Sequence, residues 1–106
     1  MPMTVTDQNF QSEILDYKGV SFVDFWAGWC APCRMVAPAI ESLAKDYAGK
    51  AQVAKLDVDA NQRSAAQYEV LSIPTMIIFK DGQEVDRLVG VMPKEAIAQR
   101  LDKWIA

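Results

Sequence analysis

The two cysteines of the chain, Cys30 and Cys33, are separated by only two residues. Thiols at this spacing can form a structural disulfide, contribute to a metal site or exchange electrons with another disulfide. The chain contains no histidine. Proton transfer near neutral pH therefore has to use a thiol or a carboxylate whose pKa is raised.

Metal binding and structural cross-linking explain the cysteine pair less well than redox exchange. A structural zinc site needs four ligands, usually thiolate or imidazole, whereas the chain supplies two thiols and no imidazole. A disulfide that closes so short a loop stabilises a protein by only roughly 2 kcal/mol in the chain-entropy description. Both alternatives stay open at this point, although no bound metal is expected.

The cysteines lie where a predicted strand meets a predicted helix. Residues 21–27, SFVDFWA, are typical of a strand that is buried on both faces. From Cys33 onward an apolar helical stripe follows, which Pro38 should kink and Gly49 should end. The stripe consists of Cys33, Val36, Ala37, Ile40, Leu43, Ala44 and Tyr47.

This position suggests different roles for the two thiols. Cys30 is at the helix start, where unpaired backbone N–H groups and the helix dipole favour a thiolate. Pro32 is tolerated in the first turn because its missing N–H has no intrahelical partner there. Cys33 lies on the inward stripe and should be shielded. We therefore expect Cys30 to attack a disulfide and Cys33 to resolve the mixed disulfide.

The rest of the chain alternates between helical and strand patterns. The N-terminal residues MTV predict a short strand, and a helix follows with Thr6 as N-cap and Phe10, Ile14 and Tyr17 on one face. The later segments QVAKLDVD, TMIIFK and QEVDRLV predict strands, NQRSAAQYEV predicts a short helix, and Asp81-Gly82 predicts a hairpin. Pro93 begins a final helix with Ile97, Leu101 and Trp104 on one face.

The resulting order, β-α-β-α-β-α-β-β-α, predicts an α/β fold with a mixed sheet covered by helices on both faces. Helical crossovers should give parallel pairs, and the hairpin should add an antiparallel edge. The 106 residues suggest one domain, 1–106. The net charge of −3 gives no indication of nucleic-acid binding. No signal peptide and no membrane span is recognised, so a cytoplasmic protein without membrane contact is expected.

Over nearly its whole length the chain resembles the thioredoxins of the bacterial cytoplasm. The resemblance is carried by the segments VDFWAGWCAPC, AKLDVD, SIPT and FKDGQEVDRLVG and by the final helix, in this order. It implies the thioredoxin fold, with a central mixed five-stranded sheet flanked by four helices on both faces. It also implies a monomeric protein-disulfide reductase that carries electrons through a redox disulfide between Cys30 and Cys33, without a bound cofactor.

The same resemblance implies the partners of the protein. Family members reduce client proteins such as ribonucleotide reductase, methionine sulfoxide reductase and peroxiredoxins. A thioredoxin reductase, a flavoprotein that uses NADPH, then reduces them again.

Two charged residues carry over from the family. Asp24 is unusual as a carboxylate within a buried strand, and the alternative interpretations are a paired structural acid and an acid near the exposed edge of the strand. The resemblance implies that it accepts the proton of Cys33, either directly or through water, because burial raises the pKa of a carboxyl group. Lys55 matches a lysine of the family that lies next to this acid and moderates its acidity. The alternative interpretation of Lys55 is an ordinary solvent-exposed lysine on a strand.

An apolar groove for an extended client segment is also implied. Ile73-Pro74 matches the cis-proline turn of the family, whereas the sequence alone favours a trans proline that opens a strand. The expected client-binding residues are Trp29, Ala31, Ile73, Pro74, Gly90 and Val91. Trp26 is expected in the core, and a core position is also the alternative interpretation for Trp29.

Two of these positions depart from the usual family pattern. Ala31 replaces the glycine of the usual WCGPC motif, and Val91 replaces a small residue. Both leave the expected reaction class intact, but they lie at the expected client surface, so the client range and the reduction potential do not follow from the resemblance.

Two other functions use the same fold. A disulfide oxidase or isomerase would favour disulfide formation, but it is disfavoured by the absence of a signal peptide and of a histidine between the cysteines. A non-catalytic interaction module would use only the groove, and the presence of both cysteines disfavours it.

Overall fold

The computed structural model of the protein describes residues 1–106. Five strands, one π-helical segment and three α-helices follow the predicted order. They are β1 (Met3–Thr4), the π-helical segment (Gln11–Leu15), β2 (Val20–Trp26), α1 (Ala31–Asp46), β3 (Gln52–Asp57), α2 (Gln62–Gln67), β4 (Thr75–Lys80), β5 (Gln83–Val89) and α3 (Lys94–Ile105). None of the helices has the length and apolar character that crossing a membrane requires.

The five strands form one mixed sheet in the order β1-β3-β2-β4-β5. β3 pairs in parallel with both β1 and β2, as the crossovers predict. β4 pairs antiparallel with β2 as well as with β5, so the expectation that helical crossovers give parallel pairs is wrong for β4, whereas the antiparallel hairpin edge is confirmed. The connection after β3 stays at one end of the sheet, because Asp57 and Thr75 pair with adjacent residues of β2, Trp26 and Phe25. A chain that does not cross back along the sheet must run the next strand in the opposite direction.

The alternation of side chains along β2 divides the core into two layers. Phe22 contributes to a layer that α1 and α3 cover, whereas Val23 and Phe25 contribute to a layer on the other face. The second layer includes Phe10, Ile14 and the partly buried Tyr68 from the N-terminal segment and the end of α2. Helices therefore cover both faces, as predicted. Asp24 lies on the same face as Phe22, beneath α1.

Two predicted core residues are exposed. Tyr17 is 37% exposed because the first helical segment ends at Leu15, closed by a hydrogen bond from the Asp16 N–H to the Gln11 carbonyl. Ala37 is exposed although it belongs to the predicted stripe of α1, because it borders an open cavity beside Asp24. Pro38 lies within α1, as predicted.

The hairpin between β4 and β5 is confirmed. Asp81 and Gly82 have φ angles of 52° and 81°, which suits the two-residue turn that follows the twist of the strands. A Cβ atom on Gly82 would lie 2.1 Å from the carbonyl oxygen of Leu15. Glycine is therefore required both by the backbone angle and by the close approach of the first helical segment.

Candidate active site

The cysteine pair lies between the end of β2 and the first turn of α1. Cys30 is the N-cap of α1, with φ of −91° and ψ of 107°. Its backbone N–H donates to the Ala27 carbonyl at 3.2 Å, and its Sγ accepts a hydrogen bond from the Cys33 N–H at 3.2 Å. Pro32 occupies the first turn of the helix, as predicted. Sulfur thus takes the place of the oxygen that usually caps a helix, and the N–H groups of the first turn favour negative charge on it.

Cys30 and Cys33 are joined by a disulfide, with their Cα atoms 5.2 Å apart. Cys30 is 4% exposed and Cys33 is 3% exposed, so the expected difference in their exposure is absent in this disulfide state. Their surroundings differ instead. Cys30 Sγ lies 3.7 Å from the carbonyl oxygen of Ile73, whereas Cys33 lines the cavity that contains Asp24. One sulfur therefore lies next to the loop before β4 and the other next to a carboxyl group.

The loop before β4 places two of the predicted client-binding residues, Ile73 and Pro74, next to the disulfide. The Ile73-Pro74 peptide bond is cis, as the resemblance implies. Ile73 packs against the small cluster of Ala27, Cys30 and Cys33. The Gly90 N–H donates to the Pro74 carbonyl at 2.9 Å. Ile73, Pro74 and Gly90 are thus held together beside Cys30, and Gly90 adopts a φ of 94°, which favours glycine.

Several apolar side chains around this site face solvent. Trp29 is 69% exposed and Val91 is 47% exposed, while Ala31 is also exposed and Pro74 is buried. Leu71, two residues before Ile73, is 95% exposed, and no sequence pattern predicts this. An apolar residue before SIPT was the only available signal, and a loop position gives no periodicity from which to infer its exposure.

Trp29 has a polar partner that the sequence reasoning also missed. Its indole N–H donates to Asp59 Oδ2 at 2.8 Å. Asp59 follows β3, the strand next to β2 in the sheet. This bond crosses 30 positions of sequence and fixes the orientation of an otherwise exposed ring beside Cys30. Trp26, predicted to be a core residue, is only partly buried and packs against the cysteine cluster.

Asp24 is a buried acid without a hydrogen-bond partner on one of its oxygens. The residue is 5% exposed, and Oδ1 is completely enclosed and unpaired. Burial raises the pKa of Asp24 to about 7, and the positive charge of Lys55 only partly opposes this rise. Lys55 pairs with Asp24 in the β2–β3 register, and its Nζ lies 5.2 Å from the centroid of the Trp26 ring. The carboxyl group can therefore gain and lose a proton near neutral pH.

A cavity of about 90 Å³ connects this acid to the disulfide. Asp24, Lys55 and Cys33 were singled out from the sequence, and the structure brings all three to its wall. Other lining residues were not foreseen, because they come from three separate segments and no sequence pattern links them. The complete lining is Pro2, Asp24, Trp26, Cys33, Arg34, Ala37, Ile40, Glu41 and Lys55.

The site can exchange two electrons with a disulfide outside the protein. A thiolate on Cys30 would be stabilised by the first turn of α1, and Cys33 lies close enough to form a disulfide with it. A carboxyl group that titrates near neutral pH shares a cavity with Cys33. These are the components that thiol–disulfide exchange needs in a chain without histidine.

Comparisons with known proteins agree with this geometry. The model of the thioredoxin family matches residues 1–103. The thioredoxins of Staphylococcus aureus strains Mu50, MW2 and N315 are each 60% identical to the chain over 101 residues. The match covers 95% of this chain and 95% of each relative.

Proposed function

Because the chain belongs to the thioredoxin family, whose members reduce protein disulfides, we propose distinct roles for Cys30, Cys33 and Asp24 in this reaction. The Cys30–Cys33 pair is the redox-active centre, and the protein is a protein-disulfide reductase. The observation that supports the proposed roles most directly is the different surroundings of the two sulfurs. Cys30 caps α1 beside the Ile73 carbonyl, and Cys33 borders the Asp24 cavity.

In the reduced protein the thiolate of Cys30 attacks one sulfur of a client disulfide. A bond forms between Cys30 Sγ and that sulfur, the client disulfide breaks, and the other client sulfur leaves as a thiolate. Attack by Cys30 is favoured because the Cys33 N–H and the dipole of α1 stabilise its thiolate.

Resolution then closes the disulfide that the structure contains. Asp24 accepts the proton of Cys33, directly or through a water molecule, and the Cys33 thiolate attacks Cys30 Sγ. The mixed disulfide breaks and the second client sulfur leaves as a thiolate, so two electrons have passed to the client. A pKa of about 7 suits Asp24 to this transfer, since a general base works best when its pKa lies near the operating pH.

Client binding uses the exposed apolar surface beside Cys30. Trp29, Ala31 and Val91 are exposed to solvent, and Ile73, Pro74 and Gly90 are held together next to the disulfide. We assign to these residues the binding of an extended client segment on either side of its cysteine. Asp59 contributes by holding the Trp29 indole.

A thioredoxin reductase and disulfide-containing clients follow from family membership. We propose more specific partners as well. The reductase is an NADPH-dependent flavoprotein, and the clients include ribonucleotide reductase, methionine sulfoxide reductase and peroxiredoxins. The chain works as one domain, 1–106, and as a monomer, without nucleic-acid or membrane partners. It works in the cytoplasm, since a lone close cysteine pair suits a reducing compartment.

The roles of the two cysteines are tested by trapping mixed disulfides. Cys33→Ser should attack clients and fail to resolve, so clients should accumulate in a covalent complex through Cys30 that dithiothreitol releases. Cys30→Ser is the matched control and should trap nothing. If Cys30→Ser traps clients and Cys33→Ser does not, the two roles are reversed.

A further inference from the structure

The cavity beside Asp24 is lined by residues of the sheet, of α1 and of the N-terminal segment. The sheet contributes Asp24, Trp26 and Lys55, and α1 contributes the thiol of Cys33, the charged Arg34 and Glu41, and two apolar side chains. Pro2 is the only lining residue outside β2, β3 and α1. The N-terminal segment therefore adds one wall to a cavity whose charged and reactive groups belong to the other elements.

The register of the sheet explains how Pro2 reaches this place. Thr4 pairs with Lys55, and Lys55 pairs with Asp24, so the three residues form one row across the sheet on one face. Residues two apart on an extended chain point to the same face, which directs Pro2 to the side of Thr4 and Asp24. The Val5 N–H donates to the Lys55 carbonyl at 3.0 Å, and Val5 is completely buried. These contacts fix the segment that carries Pro2.

The chemistry of proline suits this wall. Pro2 is buried, whereas Met1 is 95% exposed and Thr4, on the same face as Pro2, is also exposed. Proline has no backbone N–H, and it therefore brings no donor that would need a partner in the enclosure. Asp24 Oδ1 has no hydrogen-bond partner, and an apolar ring supplies none.

We propose that Pro2 is a positioning residue of the active site, because its ring closes the β1 side of the cavity and limits the contact of bulk water with the Asp24 carboxylate. The consequence for the reaction rests on the proposed role of Asp24 as proton acceptor. Removal of the ring admits water, which weakens both the effect of burial and the effect of the Lys55 charge. Burial is the larger of the two influences on Asp24, so the net result is a lower pKa.

The test is a titration of Asp24 in the oxidised full-length protein, in which the cysteines do not titrate. The carboxyl carbon of Asp24 is followed by ¹³C nuclear magnetic resonance from pH 4 to pH 9. Pro2→Ala should lower the pKa of Asp24 by about half a unit, and Pro2→Gly should lower it at least as much. Pro2→Val, which restores an apolar side chain of similar volume, should return the pKa to the wild-type value.

Thr4→Ala is the matched control. Thr4 lies in β1 on the same face but does not line the cavity, so its truncation should leave the Asp24 titration unchanged. An unchanged or raised pKa in both Pro2→Ala and Pro2→Gly would overturn the proposal. A shift of equal size in Thr4→Ala would also overturn it, since the effect would then come from loosening β1.

A kinetic arm separates this inference from the proposed function. In Pro2→Ala, the pH dependence of client reduction should move to lower pH by the same amount as the Asp24 titration. If the titration moves and the kinetics do not, Pro2 still closes the cavity, but the role of Asp24 as proton acceptor fails. If neither moves, the inference about Pro2 fails and the proposed role of Asp24 stands unaffected.

Discussion

Replacement of Asp24 by asparagine should stabilise the protein, and the stabilisation should grow with pH. In the folded protein burial raises the pKa of Asp24 from its ordinary value of 3.8 to about 7. Between these values the folded protein holds a proton that the unfolded chain has released, so the free energy of unfolding falls as the pH rises. Below the lower value the acid is neutral in both states. Above the upper value the full cost of ionising the buried group is present.

The magnitude follows from the size of the shift. One pKa unit corresponds to about 1.4 kcal/mol, so the shift of Asp24 corresponds to a cost of about 4 kcal/mol above pH 7. Asparagine has nearly the same shape and cannot ionise. Asp24→Asn should therefore gain about 4 kcal/mol over the wild type between pH 4 and pH 9. Any cost of the amide that does not depend on pH cancels in this comparison.

The assay is urea denaturation of both oxidised proteins at several pH values, with the disulfide intact so that the cysteines do not titrate. Asp16→Asn is the matched control, since Asp16 is exposed and its replacement should change the free energy of unfolding by less than about 0.5 kcal/mol at every pH. The same Asp24→Asn protein should reduce client disulfides more slowly near neutral pH, because asparagine cannot serve as the proposed proton acceptor of Cys33. A stability difference that stays constant from pH 4 to pH 9 would refute the reasoning from burial. Unchanged kinetics from pH 6 to pH 9 would leave Asp24 as a structural acid.

Two further predictions concern the surface around Cys30. Ala31→Gly should shift the reduction potential by less than about 30 mV, which corresponds to about 1.4 kcal/mol, because the Ala31 side chain is exposed. Equilibration with glutathione measures this shift, and a much larger value would mean that Ala31 sets the potential. Asp59→Ala should raise KM for client disulfides by about threefold to tenfold, equivalent to roughly one lost hydrogen bond, and should leave the potential unchanged. Client reduction kinetics measure the effect, and an unaltered KM would show that the Trp29–Asp59 bond does not prepare the surface for binding.

The sequence alone was sufficient for the order of the elements and for the redox-active cysteine pair. The apolar run of residues 21–27 and the stripe from Cys33 to Tyr47 predict β2 and α1, because burial of one face dictates the spacing of apolar side chains. Asp81-Gly82 predicts the hairpin because few residues tolerate two successive positive φ angles. The spacing of the cysteines and the lack of histidine restrict the chemistry before any contact is known.

The tertiary structure decided which residues of different elements contact one another. The antiparallel pairing of β4 with β2 depends on the path of the connection after β3, which local patterns do not encode. The similar burial of Cys30 and Cys33, the bond from Trp29 to Asp59 and the place of Pro2 on the Asp24 cavity all join residues from different elements. The pKa of Asp24 is also a tertiary property, since it reflects how completely α1 and the sheet exclude water from that carboxyl group. Local periodicity records which face of an element is buried, but only the packed fold determines which side chains meet there.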